Sequence, residues 1–110
     1  MFERTKQGAV DVIAGDVPVN ADSVAKLSDV LDQCLGQGQP HVVLDMKDVA
    51  LIDSVGLELL LSVSETYQQR GGNLKLATPN PLCKEILSVT GVGNSFELFE
   101  DTSAAVRSFV

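Results

Sequence analysis

A chain of 110 residues allows one domain around one core, and hydrophobic residues at 45% are enough to fill it. Aromatics at 5%, with no Trp, speak against recognition by stacking on bases or sugars. A net charge of −7 argues against a nucleic-acid or anionic-membrane surface, which needs clustered Lys and Arg; the eight basic residues are scattered singly.

No apolar run reaches the length of a membrane span, and residues 1–7 lack the apolar core of a signal peptide, so direct membrane insertion is not expected and the reading is cytoplasmic. Cys34 and Cys83 are too few for a disulfide framework, and neither belongs to a CxxC pair. They read as buried thiols acting as small hydrophobes.

In chain order, residues 2–6 and 9–14 flank Gln7-Gly8, and the second run carries β-branched residues at near-alternate positions. This predicts a hairpin. Residues 15–20 form a loop, because Pro18 lacks an N–H and disfavours helix at Val17. Asn20 or Asp22 then caps a helix whose apolar stripe is Val24, Leu27, Leu31 and Leu35, widened by Val30 and Cys34. Residues 36–40, Gly-Gln-Gly-Gln-Pro, stop it. This Gly-x-Gly follows a helix rather than a strand, so it fails as a phosphate-cradling loop.

Residues 41–46 are nearly continuous apolar and β-branched, the pattern of a central parallel strand buried on both faces. His41, the only histidine, starts that strand with no metal-ligand spacing around it. After an extended segment over 49–52 comes Asp53-Ser54-Val55-Gly56, and then an apolar run long enough for a helix. Asp53 and Ser54 are both good N-cap residues, since each side-chain oxygen can accept from an unpaired N–H of the first turn. Ser54 reads either as a plain cap or as a hydroxyl displayed at the positive end of a helix, where an enzyme can add phosphate. Gly56 costs roughly 0.5–1 kcal/mol against Ala inside a helix, so its presence suggests a close backbone approach. The helix buries Leu57, Leu60, Leu61, Ser64 and Tyr67 or Gln68, with Leu59 and Val63 as a second flank. Glu58, Ser62, Glu65 and Gln69 remain for solvent or a partner.

Residues 74–77 form a short strand. Thr78-Pro79-Asn80-Pro81 breaks it and caps a helix with inner stripe Leu82, Ile86 and Val89 and Leu87 beside it. Residues 91–94 stop that helix, residues 96–99 alternate as a last strand, and Asp101, Thr102 or Ser103 caps a short final helix holding Ala105, Val106 and Phe109. The order is β-β-α-β-α-β-α-β-α. It predicts an α/β fold: one domain over 1–110 with a mixed, mostly parallel sheet, an N-terminal hairpin and about four packed helices. The Ser54 turn lies beyond the carboxyl end of a strand, where sites of open α/β sheets collect. No metal cluster, Ser-His-Asp set, Cys-His pair or phosphate loop supports an enzyme, and no catalytic residue, metal or cofactor is expected.

Residues 45–57, Asp-Met-Lys-Asp-Val-Ala-Leu-Ile-Asp-Ser-Val-Gly-Leu, resemble the central motif of STAS domains, and more narrowly that of bacterial anti-sigma factor antagonists. Residues 71–76, 90–92 and 96–99 match the family pattern in order and spacing, so the resemblance spans essentially the whole chain. It implies a STAS-like fold in which Ser54 is phosphorylated by a partner serine kinase that doubles as an anti-sigma factor. The unphosphorylated form would bind that kinase and free the sigma factor. The partner surface is expected over the loop at 15–20, the Ser54 turn and the outer face of the following helix, which lie nearest the motif in the predicted fold: Asp16, Asp53, Ser54, Val55, Gly56 and Glu58, in a monomer or weak dimer. Two departures stand out: Val55 replaces the second serine often present, and Pro18 replaces a loop aspartate that lies near the acceptor, with Asp16 or Asp22 as substitutes. The alternative is a non-catalytic accessory subunit of a lipid-export ABC transporter or of a stressosome-like complex.

Overall fold

The computed structural model describes residues 1–36 and 38–110. Two antiparallel strands, β1 (Phe2–Gln7) and β2 (Val10–Gly15), open the chain. Their connection is Gly8-Ala9, with Gly8 at φ 64°, as a hairpin turn with glycine at its first central position requires. Then follow α1 (Val24–Gln33), β3 (His41–Asp45), α2 (Ser54–Gln69), β4 (Asn73–Ala77) and α3 (Pro81–Val89). A 3-10 turn (Val92–Ser95), β5 (Leu98–Phe99) and α4 (Thr102–Arg107) complete the chain. The sheet order is β1-β2-β3-β4-β5, with every pair after the first parallel.

Strands that advance steadily in one direction, joined by right-handed crossovers, place their helices on one face. One core accordingly joins Ile13, Val42, Leu44, Leu74 and Leu76 of the sheet to Leu27 and Leu31 of α1, Leu57, Leu60, Val63 and Tyr67 of α2, and Cys83 and Leu87 of α3. Tyr67 is buried there because its hydroxyl donates to Leu31 O at 2.6 Å. The opposite face carries a smaller core of Val10, Val12, Val43 and Ala77 under Ala105 of α4, with Phe99, Val106 and Phe109 at its edge.

Several elements differ from the sequence reading. Neither Asn20 nor Asp22 caps α1: Ser23 holds that position, and its hydroxyl donates to Pro18 O at 2.6 Å instead. The Asn20 side chain accepts from Asp22 N at 2.9 Å, which closes a local turn and keeps it from the helix. The predicted stop at 36–40 includes Gln37, which lies outside the described residues; Gly36 has φ 50°. Leu61 is 37% exposed, on the outer side of α2. In α3 the buried residues are Cys83 and Leu87, whereas Leu82 and Val89 are 48% and 75% exposed. The apolar arc of this helix is wide, and anchoring of its first residues, described below, rotates the inner stripe by one position. The last strand shrinks to Leu98–Phe99: a 3-10 turn unforeseen in the sequence precedes it, and Phe96 N donates back to Gly93 O of that turn at 3.2 Å. Of the three candidate caps for α4, Asp101 is the one used, accepting from Ala104 N at 2.7 Å.

Candidate functional site

The buried β3 delivers the chain to the carboxyl edge of the sheet, and residues 46–53 carry it to α2. Asp53 is the N-cap of α2: its side chain accepts from Gly56 N at 3.0 Å, with an extended backbone of φ −96° and ψ −175°. Ser54 is therefore the first helical residue, exposed, and the cap bond does not occupy its hydroxyl. This removes plain capping as the account of Ser54. Val55 is 39% exposed beside it, and Glu58, one helical turn on, shares its face of the helix.

Gly56 is required by contact rather than by backbone freedom. A Cβ there would lie 2.6 Å from Val19 O, 2.7 Å from Val19 Cγ1 and 2.8 Å from Ile52 Cγ2. Val19 is fully buried and is stitched into the approach to the helix. Its N–H donates to Leu51 O at 3.0 Å, its carbonyl accepts from Asp53 N at 3.1 Å, and it forms a parallel bridge with Ile52. The loop at 15–20 is thus fused to the Ser54 turn through one residue. Ser23 stiffens that loop further, accepting from Asn20 N at 3.1 Å while donating to Pro18 O.

Asp53, Ser54, Val55, Gly56 and Glu58 therefore stand together on the first turns of α2. Asp16 stands at the start of the neighbouring loop, but its carboxylate is paired with the Met1 amino group. That hydrogen bond holds its pKa below the usual carboxylate range. Sequence reasoning missed two residues of the site. Val19 ends the apolar run Val17-Pro18-Val19 of the loop, a pattern that signals burial but not its target. Asn80 is recognisable as a cap, yet its side chain also donates to Val49 O and Ala50 O, both at 3.1 Å.

Other chemistry-bearing residues have structural surroundings. His41 stacks on Phe109 with ring centroids 4.9 Å apart. Cys34 and Cys83 are buried, and burial raises both thiol pKa values, that of Cys34 to about 11. Among the described residues, no group of three or more His, Cys, Asp and Glu side chains is placed to hold a metal ion. No helix among them is long and apolar enough to cross a membrane.

The STAS domain family model matches residues 2–105. A Bordetella bronchiseptica protein, provisionally named the anti-sigma factor antagonist BtrV, is 29% identical over 91 residues, 83% of this chain and 78% of its own. A Thermotoga maritima protein, provisionally named an anti-sigma factor antagonist, has a crystal structure that superposes with a TM-score of 0.89 at 22% identity, covering 97% of this chain and 92% of that one. The phosphorylated form of the Bacillus protein SpoIIAA superposes with a TM-score of 0.77 at 16% identity, covering both chains in full. At those identities the two structures attest the fold, and the family match carries the assignment: this chain belongs to the STAS domain family.

Proposed function

We propose that the protein is a non-catalytic anti-sigma factor antagonist, and that phosphorylation of Ser54 switches off its binding to an anti-sigma factor that is also a serine kinase. The observation that carries this reading is the division of labour at the start of α2. Asp53 takes the cap, so the adjacent hydroxyl is exposed and unspent at the positive end of a 16-residue helix. Two of the similar proteins support the reading by what they are: BtrV by its name, and SpoIIAA as an anti-sigma factor antagonist whose structure is known with phosphate attached.

The switch follows from charge. Phosphorylation adds about −1.5 to −2 charges at Ser54. Within the protein, the helix N-terminus favours an anion by roughly 0.3–1 kcal/mol, while Asp53 repels it by a similar amount at an exposed site. The fold barely registers the change. Against a partner, a phosphate loses water without a dedicated cation, and a buried unpaired charge costs several kcal/mol. About 1.4 kcal/mol is already tenfold in affinity.

Phospho-Ser54 is expected to weaken binding to the kinase by at least about tenfold with little change in melting temperature. Ser54→Ala binds constitutively, and Ser54→Asp, with a single charge, is weakened less than the phosphoprotein. Mass spectrometry of the protein from its own cells, followed by titration calorimetry on both forms, tests this. Equal affinity of the phosphorylated and unmodified proteins, or co-purification with a membrane ATPase instead of a kinase, overturns it.

A further inference from the structure

We infer that Asn80 is the positioning residue of the Ser54 turn: a single side-chain amide both starts α3 and clamps the chain segment that presents the serine. The inference rests on the reading of that turn as the partner-binding and phosphoacceptor site. It adds a residue 26 positions downstream, on a different helix, that touches neither Ser54 nor the cap.

The segment between β3 and α2 lies outside regular secondary structure for most of its length, so its position depends on discrete bonds. At its start, Met46 N donates to Ala77 O at 2.9 Å and Lys47 N to Asp45 Oδ1 at 3.0 Å. At its end, Leu51 and Asp53 are tied to the backbone of Val19. Between them, the carbonyls of Val49 and Ala50 are both held by Asn80 Nδ2, at 3.1 Å each. The same side chain turns its oxygen the other way: Oδ1 accepts from Cys83 N at 2.7 Å, capping α3, with Pro81 at the first helical position. The buried Cys83 thiol lies 3.5 Å from Val49 O on the same side. Apart from the Cys83 thiol and the local Asp53 cap, the other ties described for the middle and end of this segment are backbone to backbone, so Asn80 is the polar side chain from a distant element that holds the path of the chain into Asp53 and Ser54.

The two halves of the amide can be separated by substitution. Asn80→Ser keeps a good N-cap oxygen but is too short to reach the two carbonyls. Asn80→Asp keeps the cap acceptor and replaces the donor with an oxygen that faces two carbonyl oxygens. Amide hydrogen exchange of the full chain reads both. The Asp53 and Leu57 amides, bonded to Val19 O and Asp53 O, are expected to exchange about tenfold faster in each variant. The Lys84 and Leu87 amides of α3 stay within about twofold of the wild type. At a temperature where both variants are fully folded, phosphorylation of Ser54 by the kinase drops about tenfold in kcat/KM, and kinase affinity falls in parallel.

Unchanged exchange at Asp53 and Leu57 overturns the inference. So does exchange that accelerates equally in α3, because Asn80 is then only a cap. Should the wild-type protein neither bind a kinase nor accept phosphate, the reading of Ser54 fails, while the exchange result still decides the role of Asn80.

Discussion

Val42 and Val43 are neighbours in β3 and neither exposes any surface, yet they belong to different cores. Val42 faces three helices and an apolar layer that runs from Phe2 to Leu87, with one buried carboxylate, Asp11, beside it in the register and paired with Arg4 at 3.0 Å. Val43 faces one six-residue helix, and its layer is interrupted by a charge. Lys75 is only 6% exposed on that second face. Its Nζ donates to Ser108 Oγ at 2.8 Å, lies 4.2 Å from the centroid of the Phe109 ring and is 3.6 Å from Glu97. The first face is held by interdigitated apolar volume, which leaves little room to shift. The second is held by a fastener at the end of the chain. The Ser54 turn is built on the first face, through Ile52, Val19 and Leu57, so the presented serine stands on the stiffer half of the molecule.

The largest test of this difference is Leu60→Ala, which removes a fully buried side chain from the three-helix face. It should cost about 2–5 kcal/mol in chemical denaturation, because packed helices on both sides prevent collapse of the cavity. A cost under about 1 kcal/mol would mean that this face is not the rigid one.

Gly56→Ala comes next. Its methyl must displace Val19 O, 2.6 Å away, or push α2 outward. About 1–3 kcal/mol of overpacking is expected, partly offset by the helix preference for Ala. Because the strain sits between Val19 and the Ser54 turn, affinity for the proposed kinase partner should fall as well. A variant as stable as the wild type, with unaltered affinity, would show that the loop and helix yield to each other easily.

Lys75→Met probes the other face. It keeps most of the stem and deletes the charge, and the ion-pair partner Glu97 is exposed, so no buried carboxylate is left unpaired. Global stability should change by less than about 1 kcal/mol, while the amides of Ala105 and Ser108 exchange faster as α4 loosens. Unchanged exchange there would mean that Ala105 and Phe109 hold the helix without the ammonium group.

The smallest effect concerns the cysteines, and here the sign can be stated. In the folded state burial raises the Cys34 pKa to about 11, above its unfolded value near 8.5–9. The folded protein therefore holds a proton that the unfolded chain releases, and stability falls as pH rises from about 9 towards about 11. Cys83 shifts in the same direction. Melting curves across that window should decline less steeply for the Cys34→Ala, Cys83→Ala double variant. That variant should keep its partner affinity, and loss of binding in a still-folded protein would count against a purely structural role for the two thiols.

Local chemistry made most of the architecture readable. The β-branched run at 41–46 marked the central strand because burial on both faces leaves no polar alternation. Gly8 marked the hairpin, and Pro81 after Asn80 marked the start of α3. The readings that failed share a cause: each had two or more local solutions of similar merit. Asn20 and Asp22 both read as the cap of α1, but Asn20 closes a local turn on Asp22 N and Ser23 takes the cap position with its hydroxyl on Pro18 O. Leu82, Cys83, Ile86, Leu87 and Val89 form an arc too wide to name its own inner side, so the anchor at Asn80 decided it.

The candidate site divides in the same way. The Asp53-Ser54-Val55-Gly56 stretch and its place after a buried strand could be read from residue order, because caps and helix-weakening glycines act within one turn of the chain. Which of the two polar residues would cap, and which hydroxyl would be left over, required the backbone angles at Asp53. What occupies the space beside Gly56 required the fold, since Val19 lies 37 positions upstream and reaches the turn through hydrogen bonds that any residue but proline could make. The pairing of Asp16 with the Met1 amine, and of Asn80 with the carbonyls of Val49 and Ala50, likewise arises between segments that sequence order does not associate. Short-range preferences of cap, turn and burial pattern are properties of residue types and survive in the sequence. Contacts between distant segments depend on how the sheet stacks those segments, and only the tertiary structure holds that information.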